Sequence, residues 1–320
     1  MAYLIGTDEA GYGPNLGPLV ISATVWQVSG RAADCDLYQR LSKCVRPTPG
    51  PARCRRMVWG DSKVLYQPKA GLALLERGLL AALSLLGPCP PDWEALWNSL
   101  APDAPTEFER LPWYAGFGCQ LPLAVEAEDL QRACARLQKG MEAAGVRLVA
   151  IRSCAVFPER FNRLVKQHDN KGAALSHLTL DLVARVAEPL TDDELFVVCD
   201  KHGGRNEYGP LLQQHFPEWL VEVHGEGRDE SIYRWGPAER RTEVHFRARA
   251  ESHLPTALAS MASKYLREAA MRPFNEFWCA RIQDLRPTAG YPSDSHRFRS
   301  EIREMQTALG IADKVLWRER

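Results

Sequence analysis

The chain has no excess of either charge. Its 40 Lys and Arg balance 40 Asp and Glu, for a formal net charge of zero and a pI of 7.1. This excludes a globally basic nucleic-acid binder and leaves any phosphate recognition to a local groove or to bound cations. No apolar run approaches the roughly 18 residues of a membrane span, so no membrane partner is expected. The opening Met1-Ala2-Tyr3-Leu4-Ile5 lacks the basic flank and long apolar stretch of a secretion signal, which reads as an intracellular, cytoplasmic protein. The nine cysteines are odd in number and include no Cys-x-x-Cys pair. A disulfide framework and a zinc knuckle are therefore not expected, and free buried thiols are. His168, His177, His202, His215, His224, His245 and His253 lack metal-ligand spacing. There is no internal repeat and no low-complexity tail.

What is present is ordinary for a globular protein: 45% hydrophobic and 25% charged residues. At 320 residues the chain has room for two domains, or one with insertions. Tyr3 to Thr7 and the β-branched run Leu19 to Val28 read as strands. Helices are expected at 33–45, 68–86 and 126–144, a strand at 146–157, and helices across 158–188. Leu195 to Asp200 is a short buried strand, 219–250 alternates as strands do, and helices follow at 255–282 and 294–309. Strands mixed with long helices give an α/β fold with a mixed sheet. The segment 87–118 interleaves prolines with Trp93, Trp97, Phe108, Trp113, Tyr114 and Phe117. It reads as an insertion with its own aromatic mini-core. The alternatives are a platform for unpaired bases, or a docking surface anchored by Trp93 and Trp97.

Two strands end in acids: Asp8-Glu9 on the first and Asp200 on a central one. Ligands bind at such strand ends in open α/β sheets. The long helix adds Glu268, four residues after Lys264 and on the same face. If that face packs over the sheet edge, four carboxylates converge and repel one another. Divalent cations are the usual relief, and a pair of them suits phosphodiester hydrolysis. Oxygen ligands favour Mg²⁺ or Mn²⁺ over zinc.

In order along the chain, the motifs are Asp8-Glu9-Ala10-Gly11-Tyr12-Gly13-Pro14, Gly17-Pro18-Leu19-Val20, Asp61-Ser62-Lys63, the strand-end Asp200, Ala259-Ser260 through Glu268, and Gly290-Tyr291-Pro292-Ser293-Asp294-Ser295-His296. This series resembles the type-2 ribonuclease H family over nearly the whole chain except about 87–118 and part of 225–243. The resemblance implies a single ribonuclease-H-like domain over 1–320, with a mixed sheet flanked by helices, the insertion at about 87–118 and a C-terminal helical region at about 255–320. It implies endonucleolytic hydrolysis of RNA in RNA–DNA hybrid or chimeric duplexes, leaving a 3′-hydroxyl and a 5′-phosphate. Asp8, Glu9, Asp200 and Glu268 would be the catalytic residues and the ligands of two Mg²⁺ or Mn²⁺ ions. Gly11, Tyr12, Gly13, Lys63, Lys264 and Tyr291 would contact the nucleic acid. Protein partners are left open by the sequence.

Three departures from the family pattern stand out. Its Gly-Arg-Gly loop is Gly11-Tyr12-Gly13 here, which removes a guanidinium while keeping the glycines. The fourth acid is Glu268 rather than Asp. Asp200 is followed by Lys201-His202-Gly203-Gly204-Arg205, either a phosphate-binding turn or a solvated one. Two alternatives stay open: a divergent nuclease of the same fold acting on another structured nucleic acid, and a catalytically inactive binding scaffold.

Overall fold

Ala2–Ala10 (β1) and Leu19–Val28 (β2) form an antiparallel pair near the middle of a seven-stranded sheet. The computed structural model describes residues 1–51, 53–66, 71–190 and 193–319. Val45–Arg46 (β3) and Met57–Val58 (β4) make a separate two-stranded pair. The sheet is completed by Arg147–Val156 (β5), Glu194–Asp200 (β6), Glu222–Glu226 (β7), Glu230–Trp235 (β8) and Thr242–Arg247 (β9). Its order is β5-β2-β1-β6-β9-β8-β7, with β1, β6 and β9 parallel and the other pairings antiparallel. The mixed sheet flanked by helices is thus the expected fold class.

Both faces of the central strands are covered, which is why their sequences are nearly continuous apolar runs. Successive side chains alternate between two cores. Ala2, Leu4, Phe196 and Val198 join the core beneath the long helix Leu254–Cys279, whereas Tyr3, Ile5, Leu195 and Val197 join the one beneath Lys171–Ala187. The long helix crosses the sheet in close contact. A Cβ placed on Gly6 would lie 2.2 Å from backbone atoms of Pro255 and of Thr256. Hydroxyls then pin helix to strands: Thr24 Oγ1 donates to the Pro255 carbonyl (2.7 Å), Thr256 Oγ1 to Val198 (3.2 Å), and Ser263 Oγ to the Asp8 carbonyl (3.0 Å). Gly6→Ala should destabilise the fold by about 3 kcal/mol, because backbone rather than a pliable side chain opposes the methyl. Urea unfolding measures this, and an unchanged midpoint would show that the helix can slide away.

Some elements differ from the sequence reading. The helix expected at 33–45 is only Leu37–Arg40, because Val45–Arg46 is drawn into pairing with Met57–Val58. Of the helix expected at 68–86, residues 73–83 are helical and 68–70 lie outside the described residues. Trp93 and Trp97 are buried, their rings 5.8 Å apart, and Trp93 Nε1 donates to the Ala269 carbonyl (2.9 Å). Neither tryptophan is an exposed anchor or a base-stacking platform. No helix among the described residues is long and apolar enough to cross a membrane.

Candidate active site

The last parallel register pair of β1 and β6 is Thr7 with Cys199, so Asp8 and Asp200 come next, side by side at the strand ends. The alternation that sends Leu4 and Val198 toward the long helix sends Asp8 and Asp200 the same way. The sheet register alone therefore brings two carboxylates together. Asp8 is 5% exposed and accepts the Glu9 amide at 2.8 Å. Burial, then the charges of Glu9 and Asp200, hold its carboxyl well above the usual range, against a hydrogen bond from Ser260. Burial and Asp200 push Glu9 up to about 7, and burial and Glu251 push Asp200 up to about 6.

The fourth carboxylate beside this trio is Glu251. It stands in the single turn Ala250–Ser252, whose Ala250 amide also donates to Asp200 Oδ1 (3.3 Å). Arg249, just before the turn, has φ 61°, an uncommon conformation for a residue with a Cβ. Lys63 Nζ lies 3.3 Å from Glu251 Oε1, and its charge eases both Glu9 and Asp200. Lys63 extends from a short helix capped by Asp61, with Ser62 Oγ 2.9 Å from Ser260 Oγ. The Asp-Ser-Lys motif thus docks one lysine against the acids.

Glu268 is placed differently from the sequence expectation. It accepts Lys264 Nζ (2.7 Å) and the Tyr66 hydroxyl (3.0 Å), with the Lys264 ammonium 4.4 Å over the Tyr66 ring. Eight residues separate it from Ser260, about 12 Å of helix at 1.5 Å per residue. The helix-spacing pair with Lys264 is formed, and Glu268 is not among the leading influences on Asp8, Glu9 or Asp200. The buried Glu76 shows what a structural acid looks like here. It accepts the amides of Leu123 and Ala124 and the Tyr265 hydroxyl, each at 2.6 Å. The Asp8 cluster has no comparable set of donors among the described residues.

The loop after β1 follows directly from Asp8 and Glu9. Gly11 has φ 92° and Gly17 φ 75°, which favours glycine at both. Lys171 Nζ sits 4.4 Å over the Tyr12 ring and 3.1 Å from the Tyr12 carbonyl, so a cation accompanies the tyrosine of this loop. Tyr291 is exposed and borders Gly13. In the turn after Asp200, Lys201 Nζ is consumed by the carbonyls of Arg205 and Gly227, by Asn206 and by Ser231. His202 is buried against Ser176 (3.1 Å) and burial holds it neutral, down to about 3. Lys201 and His202 are thus spent on the turn's own structure. Lys171, Tyr66 and Glu251 were not singled out from sequence. Only Glu251 had a signal: an acid shortly after a strand that turns out to lie beside β6.

The donor set fits hard divalent cations: four clustered carboxylates, short of hydrogen-bond donors, beside one lysine. Among the described residues no group of three or more His, Cys, Asp or Glu is already drawn in to hold an ion. The acids neighbour one another without closing on one centre.

No family model matches the chain, and no curated protein does. Among solved structures it is similar to a chain of the complex of PCNA with RNase HII from Archaeoglobus fulgidus, at 16% identity over 99% of this chain and 94% of that one, TM-score 0.45. It is similar to Bst-RNase HIII in complex with Mn²⁺, at 13% identity over 99% of this chain and 66% of that one, TM-score 0.43. It is also similar to ribonuclease H2 from Pyrococcus horikoshii OT3, at 12% identity over 98% and 92%, TM-score 0.39.

Proposed function

We propose that this chain is a divergent type-2 ribonuclease H: a metal-dependent endonuclease hydrolysing RNA in RNA–DNA hybrid or chimeric duplexes, leaving a 3′-hydroxyl and a 5′-phosphate. The observation that carries the reading is the mutually repelling group of buried Asp8 and half-buried Glu9, Asp200 and Glu251, gathered at two adjacent strand ends and the turn after β9. A group so costly to fold around is hard to reconcile with an inactive scaffold. These four side chains would hold two Mg²⁺ or Mn²⁺ ions, with Glu251 in the place that the sequence reading gave to Glu268. Such ions, when bound, stabilise the attacking and leaving oxygens of an in-line displacement.

The chain's own residues do the rest. Ser260 and Ser263 fix Asp8 through its carboxylate and its carbonyl. Lys63 orients Glu251 and puts a positive charge at the rim. Gly13, open beside the exposed Tyr291, would leave room for a sugar–phosphate strand, with Gly11, Tyr12 and Lys171 along the same loop. Lys264 sits behind these, neutralising Glu268.

The test is cleavage, in Mg²⁺ or Mn²⁺, of an RNA–DNA hybrid, a DNA duplex with one ribonucleotide and single-stranded controls. Cutting of neither duplex by folded, metal-binding protein would shift the reading to a nuclease for another structured nucleic acid. Glu251→Gln should cost about a hundredfold or more in kcat, and Glu268→Gln about tenfold or less, as expected for a ligand against a supporting ion pair. The reverse ranking would restore Glu268 as the fourth ligand.

A further inference from the structure

The loop between β1 and β2 is held from behind by two buried arginines. Arg267 Nη1 donates to the Pro18 carbonyl (2.9 Å), and its Nη2 donates to Leu16 (3.2 Å) and Ala289 (2.9 Å). Arg318, far away in sequence, reaches the same loop from the opposite end. Its Nη2 donates to the Pro14 carbonyl and its amide to the Asn15 carbonyl (2.9 Å), while Leu16 and Trp317 form an antiparallel bridge. The tail is itself fixed to the helix Pro158–Gln167: Asn162 Nδ2 donates to the Trp317 carbonyl and the Glu319 amide to Asn162 Oδ1, both at 2.7 Å. The Arg318 guanidinium lies 5.0 Å from the Phe161 ring centre.

Arg318 is 3% exposed, and its Nε and Nη1 have no hydrogen-bond partner among the described residues. No carboxylate pairs with it there. A buried guanidinium with idle donors is expensive for a purely structural tie. Its effect on the loop is specific: the carbonyls of Pro14, Asn15, Leu16 and Pro18 all turn inward to arginine or tail donors. The amides of Tyr12 and Gly13, on the outer part of the loop, donate to nothing among the described residues. Carbonyls that faced outward would repel a passing phosphate, whereas free amides above two buried cations attract one.

We infer that Arg318 is a positioning residue for substrate: by holding the Pro14 carbonyl inward it keeps the Tyr12–Gly13 amides presented to a backbone phosphate of the nucleic acid. The inference rests on the nuclease reading above for the identity of the ligand. Arg318 itself touches no substrate. The positive charge that Tyr12 no longer supplies from the front of the loop is thus supplied from underneath.

The experiment compares wild type, Arg318→Ala and Arg318→Lys in three measurements: thermal unfolding, hydrogen exchange of the peptide covering 11–18, and hybrid-cleavage kinetics. For Arg318→Ala, KM should rise about tenfold with kcat within about twofold, as loss of binding shared by ground and transition states predicts. Loop amides should exchange faster, and Arg318→Lys should fall between. An unchanged KM and unchanged loop exchange in a folded variant overturn the inference, as does a loss confined to thermal stability. If Arg318→Ala does not fold, Arg318→Lys alone decides by the same two readouts. If wild-type protein cuts no duplex, the nuclease reading has failed separately. Loop exchange and binding of an all-DNA duplex then decide: weaker binding with faster exchange supports the clamp, and no change in either removes it.

Discussion

Asp8→Asn should abolish cleavage, lowering kcat by about a thousandfold or more (~4 kcal/mol at 1.36 kcal/mol per decade), while leaving the fold intact and the metal-free protein more stable than wild type. Activity falls because Asp8 faces both Glu9 and Asp200 and is the most buried of the four acids; no neighbour replaces its charge. Stability rises because an amide of nearly the same shape keeps the Ser260 contact and removes a carboxyl that burial and two like charges disfavour. A gain of roughly 2–4 °C per kcal/mol is the scale to look for. Differential scanning calorimetry in chelator, run beside the hybrid assay, checks both halves. An Asp8→Asn variant that still cuts would place the reaction away from these acids.

The second large effect is a coupling between pH, cation and stability. In metal-free protein Glu9 and Asp200 keep protons up to about 7 and about 6, held by burial and by neighbouring carboxylates, whereas the unfolded chain releases them near pH 4. Between those values the native state holds more protons, so stability falls as pH rises. The contribution is fully present below about pH 4 and lost by about pH 7. At about 1.4 kcal/mol per unit, Glu9 alone accounts for roughly 3 kcal/mol. A divalent cation binds only the ionised acids and reverses the loss. Unfolding midpoints in chelator should therefore drop from about pH 5 to about pH 8, and millimolar Mn²⁺ should restore them at the higher pH but hardly at the lower. A flat response to Mn²⁺ at the higher pH would remove the cation from this cluster.

The parts of this site legible in sequence were those set by neighbours in the chain. Asp8 and Glu9 close an apolar strand and open a glycine loop, and Asp200 ends another buried run, so local pattern alone put them at strand ends. Glu251 escaped because its relevance depends on β9 lying beside β6, a pairing of Leu195–Asp200 with Thr242–Arg247 that no local pattern reveals. Glu268 is read from a helical face, and helical spacing says which residues share a face without saying how far along the axis the sheet edge falls. The tryptophans of 87–118 posed the same difficulty. Whether an aromatic run stacks on bases or fills a core is decided by its covering, here the Ala269 region of the long helix.

The position of β1 in the sheet has a consequence for how the protein is made. Its residues are made before those of the other strands of the sheet, and β2 can pair with one edge almost at once. The other edge is completed only by Glu194–Asp200. At about 5–20 residues per second, that edge waits roughly 10–40 s. During synthesis the strand carrying Asp8 and Glu9 is an apolar ribbon with one open side, a template for pairing with another nascent chain. The segment proposed to carry the chemistry is thus also one whose open edge crowding threatens and chaperone cover protects during synthesis.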